Sequence, residues 1–157
     1  MTPMNRNDAI AALTAAGQPY ALADERINDR RFRVFVHAPK SLRALYEQTA
    51  SEKPFLANGD ERMSFAQAWA ASSRIGHLLV HHCGVRQGDR VAIAMRNYPE
   101  WILAFSAVTA IGAIAVAINA HWQSPEMAYA LADCGANLLF ADQERLDRLA
   151  QASAIDG

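Results

Sequence analysis

The sequence predicts an α/β fold: a partial doubly wound parallel sheet with flanking helices, preceded by an N-terminal arm containing a β-hairpin. Three observations carry this. From Arg90 onward, short apolar runs alternate with helix-patterned stretches across short links, the signature of parallel βαβ units with right-handed crossovers. Each helical stretch is preceded by an N-cap signal. The 157 residues, 52% hydrophobic and 20% charged, suffice for one domain with a buried core.

The first forty residues read as the arm. A short helix is expected around Asp8–Ala16, a break at Gly17–Pro19, and an edge strand over Arg31–Val36, where charged and apolar residues alternate. Residues 41–157 read as one α/β unit. Leu42, Leu45 and Tyr46 recur at helical spacing within Ser41–Ser51. Pro54–Ala57 then enters a tight turn at Asn58-Gly59-Asp60, with a return strand from Met63.

Ser64-Phe65-Ala66-Gln67 is a capping box, with Ser and Gln side chains placed to satisfy the first free amides of a helix. That helix should run to about Cys83 and bury Phe65, Ala68, Trp69, Ile75, Leu78 and Leu79, with Gly84 after its end. Next come a buried strand (Arg90–Met95), a helix (Pro99–Ile111), a buried strand (Ala113–Ile118), a helix (Ser124–Asp133), a strand (Leu138–Ala141) and a last helix (Asp142–Ser153). Asn97, Ser124 and Asp142 are the expected N-caps of the three helices.

Composition narrows the function. With 15 Lys and Arg against 16 Asp and Glu, a net charge of −1 and no basic stripe, no nucleic-acid partner is expected. Cys83 and Cys134 form no CxxC pair, which suits a reducing, cytoplasmic setting. Met1 to Ala16 lacks the basic-then-apolar pattern of a secretory signal. The uncharged run Trp101–Ile118 reaches the roughly 18 residues at which a membrane span must be weighed. Its alanines and the break at Gly112 favour a buried helix leading into a strand, so no transmembrane segment is expected.

No GxGxxG, Walker-type phosphate loop or GxSxG elbow is present. His77 and His81 lie four apart on the long helix, a spacing that lets two imidazoles face one metal. No Glu intervenes and no third ligand is evident, so no metal site is assigned. In a doubly wound sheet ligands meet the carboxyl ends of the strands. Those ends hold Arg96-Asn97-Tyr98, Asn119-Ala120-His121-Trp122, and Asp142 with Arg145 one turn on. The structural alternative makes Asn97 and Asp142 caps, Tyr98 and Trp122 packing residues, and Arg145 a solvated side chain.

Four segments in order, MSFAQ (Met63–Gln67), GVRQGDRVAIAMRNYPEW (Gly84–Trp101), GAIAVAIN (Gly112–Asn119) and SPEMAYALADCGA (Ser124–Ala136), resemble the opening of the adenylate-forming superfamily. RNYPEW, the NAHW turn and ADQERLDRL look most like bacterial acyl-CoA or fatty-acid–CoA ligases, and the likeness runs from Ser41 to Leu149. It implies an N-terminal portion of an AMP-forming acyl-CoA synthetase, with 41–157 the first, incomplete part of the N-terminal α/β domain. It also implies ATP, CoA and Mg2+ as requirements of the full-length enzyme and a carboxylic or fatty acid as substrate.

The family's Ser/Thr/Gly-rich ATP loop, its aromatic-and-Thr-Glu segment and its C-terminal lysine have no counterpart in these residues. No catalytic residue is therefore assigned, and the isolated chain is expected to be inactive and to bind no cofactor tightly. In the acetyl-CoA synthetase branch an arginine just beyond the strand equivalent to Leu138–Ala141 contacts a CoA phosphate, which implies that role for Arg145. The turn there also approaches CoA, which implies proximity for His121 and Trp122, although that branch has glycines where these two stand. An incomplete sheet would expose apolar surface and self-associate. The competing expectation is a stand-alone, non-enzymatic α/β binding module, which would be monodisperse.

Overall fold

The computed structural model describes residues 4–155. The first three residues of the stretch read for a secretory signal thus lie outside the described residues. The chain divides into two compact units, Met1–Lys40 and Ser41–Gly157.

In the first unit, α1 (Arg6–Thr14) is capped by Asn5, whose side chain accepts from the Asp8 amide. Strands β1 (Leu22–Ile27) and β2 (Arg30–Phe35) then form an antiparallel hairpin. The expected hairpin of the arm is thus present, with β2 matching the strand read from its alternation of charged and apolar residues. The connection explains the pairing: Asn28 and Asp29 both have positive φ, 47° and 62°, the conformation that a two-residue hairpin loop demands and that these short polar residues tolerate.

The second unit opens with α2 (Leu42–Thr49), capped by Ser41, and the hairpin β3 (Pro54–Asn58) and β4 (Glu61–Ser64). The return strand begins two residues ahead of the expected Met63, because Asn58 pairs directly with Glu61 across Gly59-Asp60. The capping box is present in full: Gln67 N donates to Ser64 Oγ at 3.1 Å, and Ser64 N donates to Gln67 Oε1 at 2.8 Å. It starts α3 (Phe65–His81).

This helix buries Ala68, Ser72, Gly76 and Leu79. Of the residues expected on its inward face, Phe65, Ala68, Trp69, Ile75 and Leu79 are buried or half-buried, and Leu78, 50% exposed, is the exception. Ser72 and Gly76 take inward positions that the apolar pattern does not mark. The helix α4 (Pro99–Ala110) explains this. A Cβ on Gly76 would stand 3.2 Å from Ile111 Cγ2, so small residues set how closely the two helices approach.

The core is β5 (Arg90–Ala94), fully buried from Val91 onward, between two parallel neighbours. These are β6 (Ile114–Ala117) and β7 (Leu138–Ala141), giving the order β6-β5-β7. Val91 and Ile93 face α3 and α4, packing with Leu79, Ala104, Ala107 and Val108. Ala92 and Ala94 face the other way, toward Met127 of α5 (Ser124–Cys134) and Leu149 of α6 (Gln143–Ile155). Helices therefore cover both faces, and the expected doubly wound arrangement holds.

One expectation fails in this sheet. The strand after Gly112 is an edge strand, with Ile114 46% exposed, instead of a buried one. The Trp101–Ile118 run is divided between α4 and β6, and among the described residues no helix is long and apolar enough to cross a membrane.

Candidate functional site

In the order β6-β5-β7 the connections after β5 and β6 leave toward opposite faces, to α4 and α5, and a crevice opens beside their carboxyl ends. A cleft of about 550 Å³ lies there, lined by Arg96, Asn97, Tyr98, Trp101, Asn119 and His121 among others. A second cavity of about 320 Å³ shares Asn97, Tyr98 and Trp101 with it and reaches β3. Trp101 stacks on Phe105, ring centres 5.4 Å apart and planes nearly parallel, which fixes this aromatic wall in the first turns of α4.

Behind the cleft, Asp142 is the residue that joins the strand ends. Its backbone amide continues the ladder to Ala94 O, and its carboxylate accepts from the amides of Arg96 (2.9 Å) and Arg145 (3.1 Å). Asp142 thus caps α6, as expected, while also holding the residue that leaves β5. Burial pushes its carboxyl upward, but the hydrogen bonds from these amides and the Arg145 side chain and charge outweigh this and hold it below the ordinary carboxylate value.

Arg145 is fully buried. Its Nη1 donates to both Asp142 oxygens, at 3.0 and 2.9 Å, and its Nε donates to Ala120 O at 2.9 Å. Nη2 lies 3.0 Å from Glu144 Oε1 yet makes no hydrogen bond, so that contact is charge attraction without directional bonding. Arg148, one turn on, donates from Nη1 to Ala120 O (3.1 Å) and Trp122 O (2.9 Å), and from Nη2 to Glu144.

The residues singled out in the sequence thus separate. His121 lines the cleft with an exposed side chain, and its amide donates to Asn119 Oδ1 at 2.9 Å. Trp122 packs instead into the cluster around Ile118 and Met127. Arg145 is buried, so its reading as a solvated side chain is wrong: a carboxylate and a carbonyl surround its guanidinium.

Two N-caps also differ from expectation. Tyr98, not Asn97, precedes α4 and makes no side-chain cap bond, and Pro99 at the first helical position has no amide to satisfy. Gln123, not Ser124, stands at the N-cap of α5, where its amide donates to Glu126 Oε2 at 2.9 Å, and the Ser124 hydroxyl donates to Arg148 O instead. Arg148 itself has no role in the sequence reading. Its signal was Glu144 four residues earlier on the same helix, a spacing that places two opposite charges together.

His77 and His81 stack with ring centres 4.2 Å apart. Among the described residues no three of His, Cys, Asp or Glu converge as a metal would need.

A model of the AMP-binding enzyme family matches residues 42–156, nearly all of the second unit. The chain belongs to that family. Long-chain fatty acid transport protein 2 of Rattus norvegicus is 32% identical over 92 residues, 59% of this chain and 15% of that protein. A medium/long-chain fatty-acid–CoA ligase of Mycobacterium tuberculosis is 32% identical over 106 residues, 68% of this chain and 18% of that protein. The anthranilate CoA ligase solved with anthranoyl-AMP superposes with a TM-score of 0.68 at 30% identity, over 73% of this chain and 22% of that one. The chain thus spans about a fifth or less of the curated relatives' length. As a member of the AMP-binding family it supplies the three-stranded sheet and its crevice, and the fold read from strands and caps agrees with the solved relative.

Proposed function

We propose that this chain is the first part of the N-terminal α/β domain of a cytoplasmic, ATP-dependent acyl-CoA ligase acting on a fatty or aromatic acid. In this reaction a carboxylate oxygen attacks the α-phosphorus of ATP, and pyrophosphate leaves. The thiol sulfur of CoA then attacks the acyl carbon, and AMP leaves with the bonding electrons. The observation that carries the reading is the family match across residues 42–156, whose relatives include a fatty-acid–CoA ligase and an anthranilate CoA ligase.

Within this reading the cleft serves CoA. Arg96 and His121 bring a cationic and a titratable group to it, and Asn97 and Asn119 bring polar amides, a set suited to a phosphorylated ligand. His121 is the residue placed to touch CoA. Trp122 supports it from the core, and Arg145 reaches CoA only if its internal bonds are given up. The residues present do not fit a magnesium site, since no three acidic or imidazole side chains among those described converge, and no step is assigned to the ion.

Adenylation is proposed to need residues beyond these. ATP–pyrophosphate exchange with a fatty or aromatic acid should occur in the protein at its full natural length and be absent from the isolated 157 residues. Exchange catalysed by the isolated chain would overturn this division of labour. Exposed Ile114 on the β6 edge and Tyr129 support self-association of the isolated chain. A monodisperse monomer by sedimentation would count against that.

A further inference from the structure

We propose that Arg145 is a positioning residue that sets the shape of the cleft from behind, fixing where Arg96 and His121 stand without touching a ligand. The proposal rests on the ligase reading only for which substrate feels the effect.

A guanidinium that receives a phosphate must present free donors to solvent. Arg145 presents none to solvent: it is 0% exposed, Nε is committed to Ala120 O, Nη1 is committed to the Asp142 carboxylate, and Nη2, which makes no hydrogen bond, is buried beside the Glu144 carboxylate. Turning it outward would break charge-assisted bonds and strand a largely buried carboxylate, a costly exchange for any ligand to drive. What it does reach is informative. Ala120 is the residue before His121, and Asp142 holds the Arg96 amide, so one side chain ties the turn after β6 to the ends of β5 and β7. The end of β5 and the turn after β6 are the segments that line the cleft, and the end of β7 holds them from behind.

The geometry requires arginine. Nε and Nη1 sit on different edges of one rigid plane, and each meets a different segment, whereas the three donors of a lysine ammonium radiate from a single nitrogen on a flexible stem and do not reproduce that spacing. Arg148 provides a second donor to Ala120 O and a first to Trp122 O, but none to Asp142. It can hold the β6 turn without registering it against Arg96.

The test is amide hydrogen exchange on the full-length protein, wild type against Arg145→Gln, with steady-state kinetics on the same samples. Loss of hydrogen bonds to a charged group should speed exchange at His121 and Trp122 by about tenfold or more, while Val91–Ala94 in the central strand stay as protected as before. The KM for CoA should rise by about tenfold, with ATP–pyrophosphate exchange held within about twofold. Arg145→Lys should fall between the two proteins. If Arg145→Gln does not fold, the same comparison on Arg145→Lys decides.

Unchanged exchange at 121–122 in a folded variant overturns the proposal. So does uniform acceleration through β5, which would make Arg145 a general stabiliser. Local loosening with an unmoved KM for CoA upholds the positioning role and removes CoA from the cleft, and wild-type protein without ligase activity removes the ligase reading while the exchange data still decide the role of Arg145.

Discussion

The backbone amide of Arg96 donates to the carboxylate of Asp142 at 2.9 Å, across 46 positions of sequence, and so locks together the carboxyl ends of two parallel strands. The bond is directional and its acceptor is titratable, which gives the arrangement a pH signature. The folded-state pKa of Asp142 is lowered, so its contribution to stability is complete above the unfolded value, about 3.9, and is lost as pH falls through the folded value. Urea midpoints measured from pH 7 down to pH 3 should therefore fall more steeply for wild type than for Asp142→Asn below about pH 4, because Asn keeps an acceptor but no charge. Parallel curves would remove Asp142 from the acid limb.

Adjacent leucines on α3 provide a sharper test of packing. Leu79 is fully buried among Val85, Val91, Ala107 and Val108, whereas Leu78 is half exposed. Leu79→Ala should cost about 2–5 kcal/mol through lost burial and a residual cavity. Leu78→Ala should change stability by no more than about 0.5 kcal/mol. Chemical denaturation of the two variants measures both, and equal losses would mean that the helix presents the other face.

Gly112 ends α4 at φ +79°, a conformation that an L side chain adopts only with strain. An added Cβ would also come within 3.0 Å of Gln87 Cγ, a flexible side chain that can move aside. Backbone strain therefore dominates, and Gly112→Ala should destabilise by about 1–2 kcal/mol. Thermal unfolding of Gly112→Ala beside wild type checks this, and an unchanged midpoint would refute it.

What the sequence makes legible follows from how local each signal is. The Ser64–Gln67 capping box and the strand Leu138–Ala141 are read directly, since a cap is set by residues within one turn and an apolar run needs no partner to be seen. Burial depth is less accessible. Ala113–Ile118 and Arg90–Met95 look alike in composition, but the first lies at the edge of the described sheet and the second at its centre, a difference set by strand order. On α3 the apolar positions show the inward face but not its small residues, because Ser72 and Gly76 are inside to admit α4. At the site, Arg145 and His121 stand out by their place at the carboxyl ends of the predicted strands and by the family resemblance. Their separation into a buried brace and a cleft residue depends on contacts 25 residues apart.

Ser124 tests whether a cap-like residue acts as a cap. Aspartate is as good an N-cap as serine, so if Ser124 capped α5, Ser124→Asp would be neutral or better. In the structure the cap is Gln123, and the Ser124 hydroxyl is a donor to the carbonyl of Arg148, tying the start of α5 to the middle of α6. Alanine removes that donor and leaves the carbonyl without it, a loss of about 1 kcal/mol. Aspartate removes the donor too and sets a negative charge, at a position only 9% exposed, against the carbonyl oxygen it should have served. The expected order of stability is therefore wild type, then Ser124→Ala, then Ser124→Asp, read from urea midpoints at pH 7. At Ser64, whose side chain does accept from the Gln67 amide, aspartate should be tolerated. A Ser124→Asp protein as stable as wild type would return that residue to the cap and leave the contact between α5 and α6 to apolar packing around Met127 and Leu149.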